Sequence, residues 1–390
     1  MPDIALAHIS DTHLGYRAYF RNDPSGRNLR TLDIELAYEK VVNDVLTHDS
    51  LDLIVHTGDV FHHSRPSWSA IRAFIEQTRR LEAAGVPMIV IAGNHDTAQL
   101  RQSSTVFSVL ELALPWVTFV TGYEERAIPL ESLGLTVTAV PHGRLMSGSL
   151  GEIGPIPGTR NILLTHGLAP TLAESPRHEL GETILDAALL SPAFDAILLG
   201  HFHKHEKVAI NTWYAGATER IGWNDAPVQP GWSLVTVAES GQVDASARLI
   251  TARQMLRLDA YDGAGQSAAE IAAGVIDAAG RFAGPDAMVR IELVNVDRSE
   301  RRAAESIIRR EAAGTYLTLQ TYSREDNTAL FNEDVRLDDS LRMKGITELF
   351  TEFCAAQDYE PGFRERFLVK GREAIETATR TMEAAGGDQE

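Results

Sequence analysis

Short apolar, β-branched runs separated by helix-length segments constrain this chain more than any other feature. The runs are IALAHIS (4–10), LDLIVHT (51–57), PMIVIAG (87–93), LTVTAV (135–140), NILLTH (161–166) and DAILLG (195–200). They are too continuously apolar for strands with one wet face, so they read as strands of a largely buried sheet. Between the first three lie LDIELAYEKVVNDVLTH and SWSAIRAFIEQTRRLEAAG, the second carrying Trp68, Ile71, Phe74, Ile75 and Thr78 at helical spacing. A β-α-β-α-β alternation of this kind predicts a layered α/β fold.

A chain of 390 residues with 44% hydrophobic content can bury a large core and is expected to make more than one domain. The runs WYAG and SLVTVA close a first domain, residues 1–250. A strand-helix pattern follows, with SAAEIAAGVIDAAGRF, MVRIELVNV, SERRAAESIIRREAA and TYLTLQTYS, and predicts a small α/β domain over 255–325. The segment 338–383 reads as helical, with Ile346, Leu349, Phe350 and Phe353 on one stripe.

One cysteine, Cys354, cannot form an internal disulfide, and its setting ITELFTEFCAAQ is that of a buried helical position. The N-terminus MPDIALAHISD lacks a basic leader and no apolar run approaches the roughly 20 residues that span a bilayer, so a cytoplasmic protein with no membrane contact is expected. The net charge of −18 argues against strong unaided binding to nucleic acid. It does not exclude chemistry on phosphate, because bound cations invert the local field.

Each apolar run ends in groups able to hold a metal. The first runs into Asp11-Thr12-His13, the second into Gly58-Asp59, the third into Gly93-Asn94-His95-Asp96, a later one into Thr165-His166 and the last into Gly200-His201-Phe202-His203. Any one of these alone is more simply a turn or a helix cap. In open α/β sheets ligands bind at the carboxyl ends of strands, so the five blocks would converge on one crevice. Asp, Asn and neutral His without thiolate suit hard or borderline divalent cations such as manganese, iron or zinc. The groups are too many for one ion, and a carboxylate shared by two ions about 3.5–4 Å apart would make a site for phosphoester hydrolysis.

The blocks D-x-H, G-D, G-N-H-D, H and G-H-x-H, in that order, resemble the calcineurin-like metallophosphoesterase superfamily, and the resemblance implies a four-layer αββα sandwich. Carried onto this chain it implies that Asp11, His13 and His203 hold one metal, that Asn94, His166 and His201 hold the other, and that Asp59 bridges them. His95 then stands at the scissile phosphate to protonate the leaving oxygen. HISDTHLGYR and GDVFHHSRPS are further similar to the SbcD family, which implies that His62 orients the phosphate. The same resemblance implies two divalent ions, manganese above all, a DNA substrate, a homodimer and an SbcC-like coiled-coil ATPase partner of the SMC type. In that reading 255–325 is a cap domain and 338–383 docks the ATPase. The activity implied is a DNA exonuclease and endonuclease that processes double-strand breaks with metal-activated water.

Several residues stay outside that assignment. His8 and His56 lie within strand runs and read as core, His63 as an exposed loop residue, and His142 and His205 as loop residues by default. Trp68, Ile71, Val106 and Leu110 form a dimer seam or core. RSERRAAESIIRRE carries mixed charge and reads as a solvated helix face, not a phosphate track. The rival readings are a phosphodiesterase or phosphatase for small nucleotides, and a scaffold that has lost catalysis.

Overall fold

In this computed structural model residues 3–97, 105–147, 153–173 and 183–323 are described, with 351, 354, 362 and 365–372 near the C-terminus. The chain divides into two compact units, Met1–Tyr322 and Ser323–Glu390. In the second, residues 365–372 are helical and Cys354 is buried. The predicted stripe of Ile346, Leu349, Phe350 and Phe353 lies outside the described residues, as does most of 338–383.

The first unit opens with β1 (Ile4–Ile9), α1 (Leu29–Val45), β2 (Leu53–His56), α2 (Trp68–Glu82), β3 (Met88–Ile91), α3 (Phe107–Ala113) and β4 (Val117–Val120). Asn28 caps α1 by accepting from the backbone of Arg30 and Thr31, and Ser67 caps α2 through Ala70. Such caps contribute about 1 kcal/mol each and set where the helices begin. Next come β5 (Arg126–Leu130), β6 (Leu135–Val140), α4 (His142–Leu145), β7 (Arg160–His166), α5 (Pro170–Ala173), β8 (Ala196–Gly200), β9 (Glu206–Ala209) and β10 (Thr212–Tyr214). The chain then returns through β11 (Gly231–Val237) and β12 (Val243–Leu249).

These strands make two six-stranded sheets, ordered β12-β11-β1-β2-β3-β4 and β5-β6-β7-β8-β10-β9. The six apolar runs of the sequence are thus shared between two sheets. Runs one to three are parallel neighbours in the first and runs four to six in the second. Leu6, Leu53, Val55 and Ile89 of one sheet pack on Val137, Ile162, Leu164 and Leu198 of the other. The outer face of the first sheet buries Ile9, Ile54 and Val90 under Ile34, Tyr38, Phe74 and Phe107 of its helices. The outer face of the second buries Leu163 and Leu199 under Leu185, Leu189 and Phe194. Both sheets are therefore covered on both faces, which is why their strands carry no alternation, and the result is the αββα sandwich. Leu110 is wholly buried and belongs to this core, Ile71 and Val106 pack partly against it, and Trp68 stands exposed.

A third, parallel sheet follows, built from β13 (Met255–Asp262), β14 (Met288–Val294) and β15 (Thr318–Tyr322) with α6 (Ala268–Phe282) and α7 (Arg298–Glu311) as crossovers. One face packs Val289, Ile291 and Leu258 against Ile271, Val275 and Ile308 of the helices. On its other side Met255, Met288 and Leu317 meet Tyr19, Leu29 and Trp223 of the sandwich. A buried ionic network reinforces this junction. Arg30, 1% exposed, reaches Asp33 at 2.8 Å and Glu219 at 3.9 Å, and Asp33 in turn takes two bonds of 2.7 Å from Arg253 just before β13. Removing one partner of such a network strands a buried charge and costs about 3–5 kcal/mol.

His8 and His56 are fully buried, as the sequence implies, and each has one ring nitrogen bonded, to Thr57 Oγ1 at 2.9 Å and to Thr12 Oγ1 at 2.7 Å. Burial, aided by His205 and His56, pushes His8 down to about 3. Its folded-state pKa thus lies below the unfolded 6.5, so the stability it contributes is present above pH 6.5 and is lost as pH falls toward 3. The loss is about 1.4 kcal/mol per pH unit in that window. The melting temperature of the metal-free protein is expected to fall between pH 7 and 5.5, and to fall less in His8→Gln. Parallel curves for the two proteins would show that His8 is not the acid-sensitive group.

Candidate metal centre

The five motif blocks meet at one end of the sandwich. Asp11 and His13 follow β1, Asp59 and His62 follow β2, Asn94 and His95 follow β3, His166 ends β7, and His201 and His203 follow β8. Both sheets therefore contribute, and the crevice lies across their paired edges and not within one sheet. The backbone is strained there. Seven non-glycine residues among those described have positive φ, and four of them are Asp11, His13, Asp59 and His201, at 50°, 48°, 51° and 100°. Each such residue costs of order 1–3 kcal/mol and persists only where the surroundings hold it.

Close approach of the loops supplies that hold. Gly58, at φ +98°, lies so near His166 and Gly93 that a Cβ would stand 2.6 Å from His166 Nδ1 and 2.7 Å from Gly93 Cα. A Cβ on Gly93 would overlap Asp59 Oδ1 and the Asp59 backbone nitrogen. Asp96, 1% exposed, ties the same two loops by accepting from Val60 N, Phe61 N and Gly93 N at 3.0, 2.9 and 3.0 Å. Burial, with Asp59 nearby, raises its carboxyl to about 7 against those three bonds.

Asp59 sits between two sets of donors. Its Oδ2 lies 3.7 Å from His13 Nε2 and 3.4 Å from His166 Nε2, and its Oδ1 accepts from His95 N at 2.9 Å. On one side Asp11, His13 and His203 bring ligand atoms within 4.8 Å of one another, and so do Asp11, Asp59 and His166. His13 Nε2 and His203 Nε2 face each other at 3.2 Å. On the other side Asn94 Oδ1 lies 2.9 Å from His166 Nε2 and 3.2 Å from His201 Nδ1. His201 is anchored by its backbone N–H, which donates to both oxygens of Asp11 at 3.1 Å. All seven residues named as ligands from the sequence are thus gathered in one place.

The second nitrogens of the rings define the tautomers. His166 Nδ1 donates to Thr57 O at 2.7 Å, and His203 Nδ1 donates to Asp225 Oδ2 at 2.8 Å, so once a cation displaces the proton from Nε2 each neutral ring turns an Nε2 lone pair to the centre. Burial opposes charge on His166, but Asp59 and Asp11 override it and raise it to about 9. His203 follows the same pattern, with burial lowering it and Asp225 raising it to about 9. Burial raises Asp59 and the paired His166 lowers it, with the net direction well below the usual carboxylate range. This cluster draws positive charge into a buried place through nitrogen and oxygen lone pairs aimed at shared points. Hard or borderline divalent cations fit that donor set.

His62 and His95 flank the cluster and stack on each other, with ring centroids 5.0 Å apart. His95 Nδ1 donates to the His62 carbonyl at 2.9 Å, and Tyr16 packs edge-on against the His62 ring. His63 is exposed, as expected. His142 departs from its reading as a loop residue: it opens α4, is buried, and lies edge-on to His166 at 6.3 Å. His205 is half-buried and bonds Ser233 Oγ at 2.7 Å. Asp225 was not legible as a site residue, because it stands at no ligand spacing within a motif.

Fold and site together define a metal-binding phosphoesterase sandwich. Residues 4–205 match the calcineurin-like phosphoesterase family, and the chain belongs to it. It is 31% identical over 253 residues to the DNA double-strand break repair protein Mre11 of Haloferax volcanii, covering 64% of this chain and 52% of that protein. A second relative of the same name, from Methanosarcina mazei, is 28% identical over 267 residues, covering 66% of this chain and 40% of its own length. The chain therefore matches about half or less of the length of these two relatives. The likeness to SbcD-type nucleases drawn from the motifs is borne out at this level of identity.

Gly93→Ala is expected to cost about 1–3 kcal/mol of stability through overpacking and to weaken Mn2+ binding at least tenfold. Gly122→Ala, where an added Cβ meets nothing within 4 Å, is the control. Thermal melts with and without Mn2+ measure both effects, and an unchanged Mn2+ shift in Gly93→Ala would mean that the loops separate without harm to the site.

Proposed function

We propose that this chain is a metal-dependent DNA phosphodiesterase of the SbcD type, acting on DNA ends as exonuclease and endonuclease in double-strand-break processing. The observation that carries the reading is the convergence of the five strand-end blocks on Asp59, with His62 and His95 together on one flank. Asp11, His13 and His203 would hold one divalent ion, Asn94, His166 and His201 a second, and Asp59 would be shared. Two such ions, when bound, supply Lewis-acid activation of water and charge stabilisation on the phosphate oxygens. Manganese is the proposed metal.

The protein's own groups supply orientation and proton transfer. With His13 Nε2 turned to the centre, its Nδ1 carries the proton and donates to His62 Nδ1 at 3.3 Å. His62 then keeps its proton on Nε2, as a donor for a phosphate oxygen. Burial and the neighbouring His95 push His62 down to about 4, so it acts at neutral pH as an uncharged donor. His95, its Nδ1–H committed to the His62 carbonyl, would deliver a proton to the leaving oxygen from Nε2 as the doubly protonated imidazolium and return to the neutral ring.

A nucleic-acid substrate is supported by a basic pair on the third sheet. Arg257 and Arg290 are register partners on β13 and β14, and no ion pair to either occurs among the described residues of a chain with net charge −18. Arg290 lies over the Tyr322 ring at 4.1 Å, and Arg257 reaches Asn224 at 3.4 Å, next to Asp225. Two unpaired like charges held side by side suit a polyanion. The homodimer, through exposed Trp68 on α2, the SbcC-like ATPase partner, the cap role of the third sheet and a cytoplasmic setting belong to the same proposal. No helix among the described residues is long and apolar enough to cross a membrane.

The first test is Mn2+-dependent degradation of end-labelled linear duplex DNA beside circular single-stranded DNA and a small phosphodiester, with His95→Ser as blank. Loss of both DNAs is expected, with a drop of about 10²–10⁴ in the variant. Turnover of the small ester alone, even with a cognate ATPase added, would reassign the chain to small nucleotides, and no turnover of any substrate would point to a scaffold. Within the nuclease reading, Arg257→Ala/Arg290→Ala is expected to raise KM for an oligonucleotide about tenfold and leave the small ester unchanged. An equal effect on both substrates would count against a DNA contact there.

A further inference from the structure

One turn connects the third sheet to the metal centre. Between β10 and β11 the chain makes a short helical turn at Trp223–Asp225. Asp225 Oδ2 accepts from Ile221 N at 2.8 Å and Gly222 N at 3.3 Å, so the carboxylate is fixed by its own turn. The same oxygen lies 2.8 Å from His203 Nδ1, while His203 Nε2 faces His13 across 3.2 Å. Two residues earlier Trp223 Nε1 donates to Gln320 Oε1 on β15 at 3.0 Å, and the indole lies under the Arg290 guanidinium of β14 at 5.8 Å. Trp223 also packs with Met255 and Met288 at the base of β13 and β14.

We propose that Asp225 is a positioning residue for His203, and that the Trp223–Asp225 turn makes metal binding at that ligand depend on how the third sheet is docked. The inference rests on the reading of His203 as a metal ligand. A carboxylate on the far nitrogen of a ligating imidazole holds its tautomer and ring plane and raises its basicity, and loss of such a partner costs about 10–100-fold in metal affinity. Here that partner sits on three residues of backbone whose other anchor is the third sheet. A shift of the sheet that carries Trp223 with it rotates the acceptor away from His203. The lever is short, and the ligand it serves follows β8 in the second sheet of the sandwich, far along the chain from β15.

The test measures Mn2+ binding by calorimetry and by the exchange-coupled signal of a manganese pair in electron paramagnetic resonance. Asp225→Asn keeps an oxygen for Ile221 N, Gly222 N and His203 Nδ1 while removing the charge, and Asp225→Ala removes both. Wild-type protein is expected to bind two ions. Asp225→Ala should hold one of them about 10–100-fold more weakly and lose the coupled signal at Mn2+ concentrations that saturate wild type. Asp225→Asn should fall between the two, with circular dichroism and the metal-free melting temperature close to wild type. Gln320→Ala and Trp223→Leu, which touch no ligand, should weaken the same ion about threefold.

Equal Mn2+ affinity in wild type and both Asp225 variants would overturn the positioning role, as would a fall in metal-free stability with affinity unchanged. Loss in the Asp225 variants with wild-type binding in Gln320→Ala and Trp223→Leu would overturn the dependence on the third sheet. Wild-type protein that binds no Mn2+ would instead remove the metal-centre reading itself, a result distinct from all of these.

Discussion

The geometry of this protein is organised around one carboxylate. Asp59 stands between His13 and His166, accepts the backbone N–H of His95, and lies where two loops bring Gly58 and Gly93 closer than side chains would allow. A buried anion in that position is costly unless positive charge joins it. The rest of the cluster answers that need with ring nitrogens whose far sides are already committed, His166 to Thr57 O and His203 to Asp225. The centre is therefore built to receive cations, and its neighbours are arranged by that demand.

The strain at the site follows from the same requirement. Four strand-end residues adopt left-handed backbone because each chain must turn sharply at the sheet edge to aim a short side chain inward. Two sheets covered on both faces, with cores between and outside them, are rigid enough to hold such conformations. Asp96 adds a local brace: three backbone N–H groups from two loops converge on its two oxygens. The acid after Asn94-His95 in the third block is thus spent on backbone N–H groups, and Asp96 is not among the grouped ligand atoms.

Much of this was legible in the sequence, because strand ends and their chemistry are local properties. The six apolar runs, their order and the side chains that follow them all correspond to observed strands, and the seven ligand positions meet. The division into two sheets came from the family resemblance and not from the periodicity, since a strand buried on both faces shows no alternation to say which partner it faces. His142 was equally opaque: after Pro141 it looked like a loop residue, and only the packing of α4 brings it beside His166. Asp225 lies 22 positions beyond His203 in a turn whose composition suggests nothing but a turn. Contacts of that separation are tertiary facts without a spacing rule.

The acidic balance and the proposed substrate are reconciled by where the cations lie. Several arginines near the junction with the third sheet are consumed in structure: Arg30 and Arg253 by Asp33, Arg220 by the carbonyls of Val228 and Arg253. Arg257 and Arg290 are different, since they stand in one row of the third sheet, Arg290 over the rings of Trp223 and Tyr322, and lack carboxylates among the described residues. A −18 chain repels a polyanion at long range, but repulsion between exposed charges is screened beyond about 8–10 Å at ordinary salt. Attraction then has to be local, from the basic pair and from cations held at Asp59. Both sources sit next to the Trp223–Asp225 turn, so the element that would meet a phosphate backbone and the element that steadies His203 share the same three residues. On the proposed reading, substrate contact and metal retention would be mechanically connected, which would give a polyanion a route to influence the centre without any long-range steering.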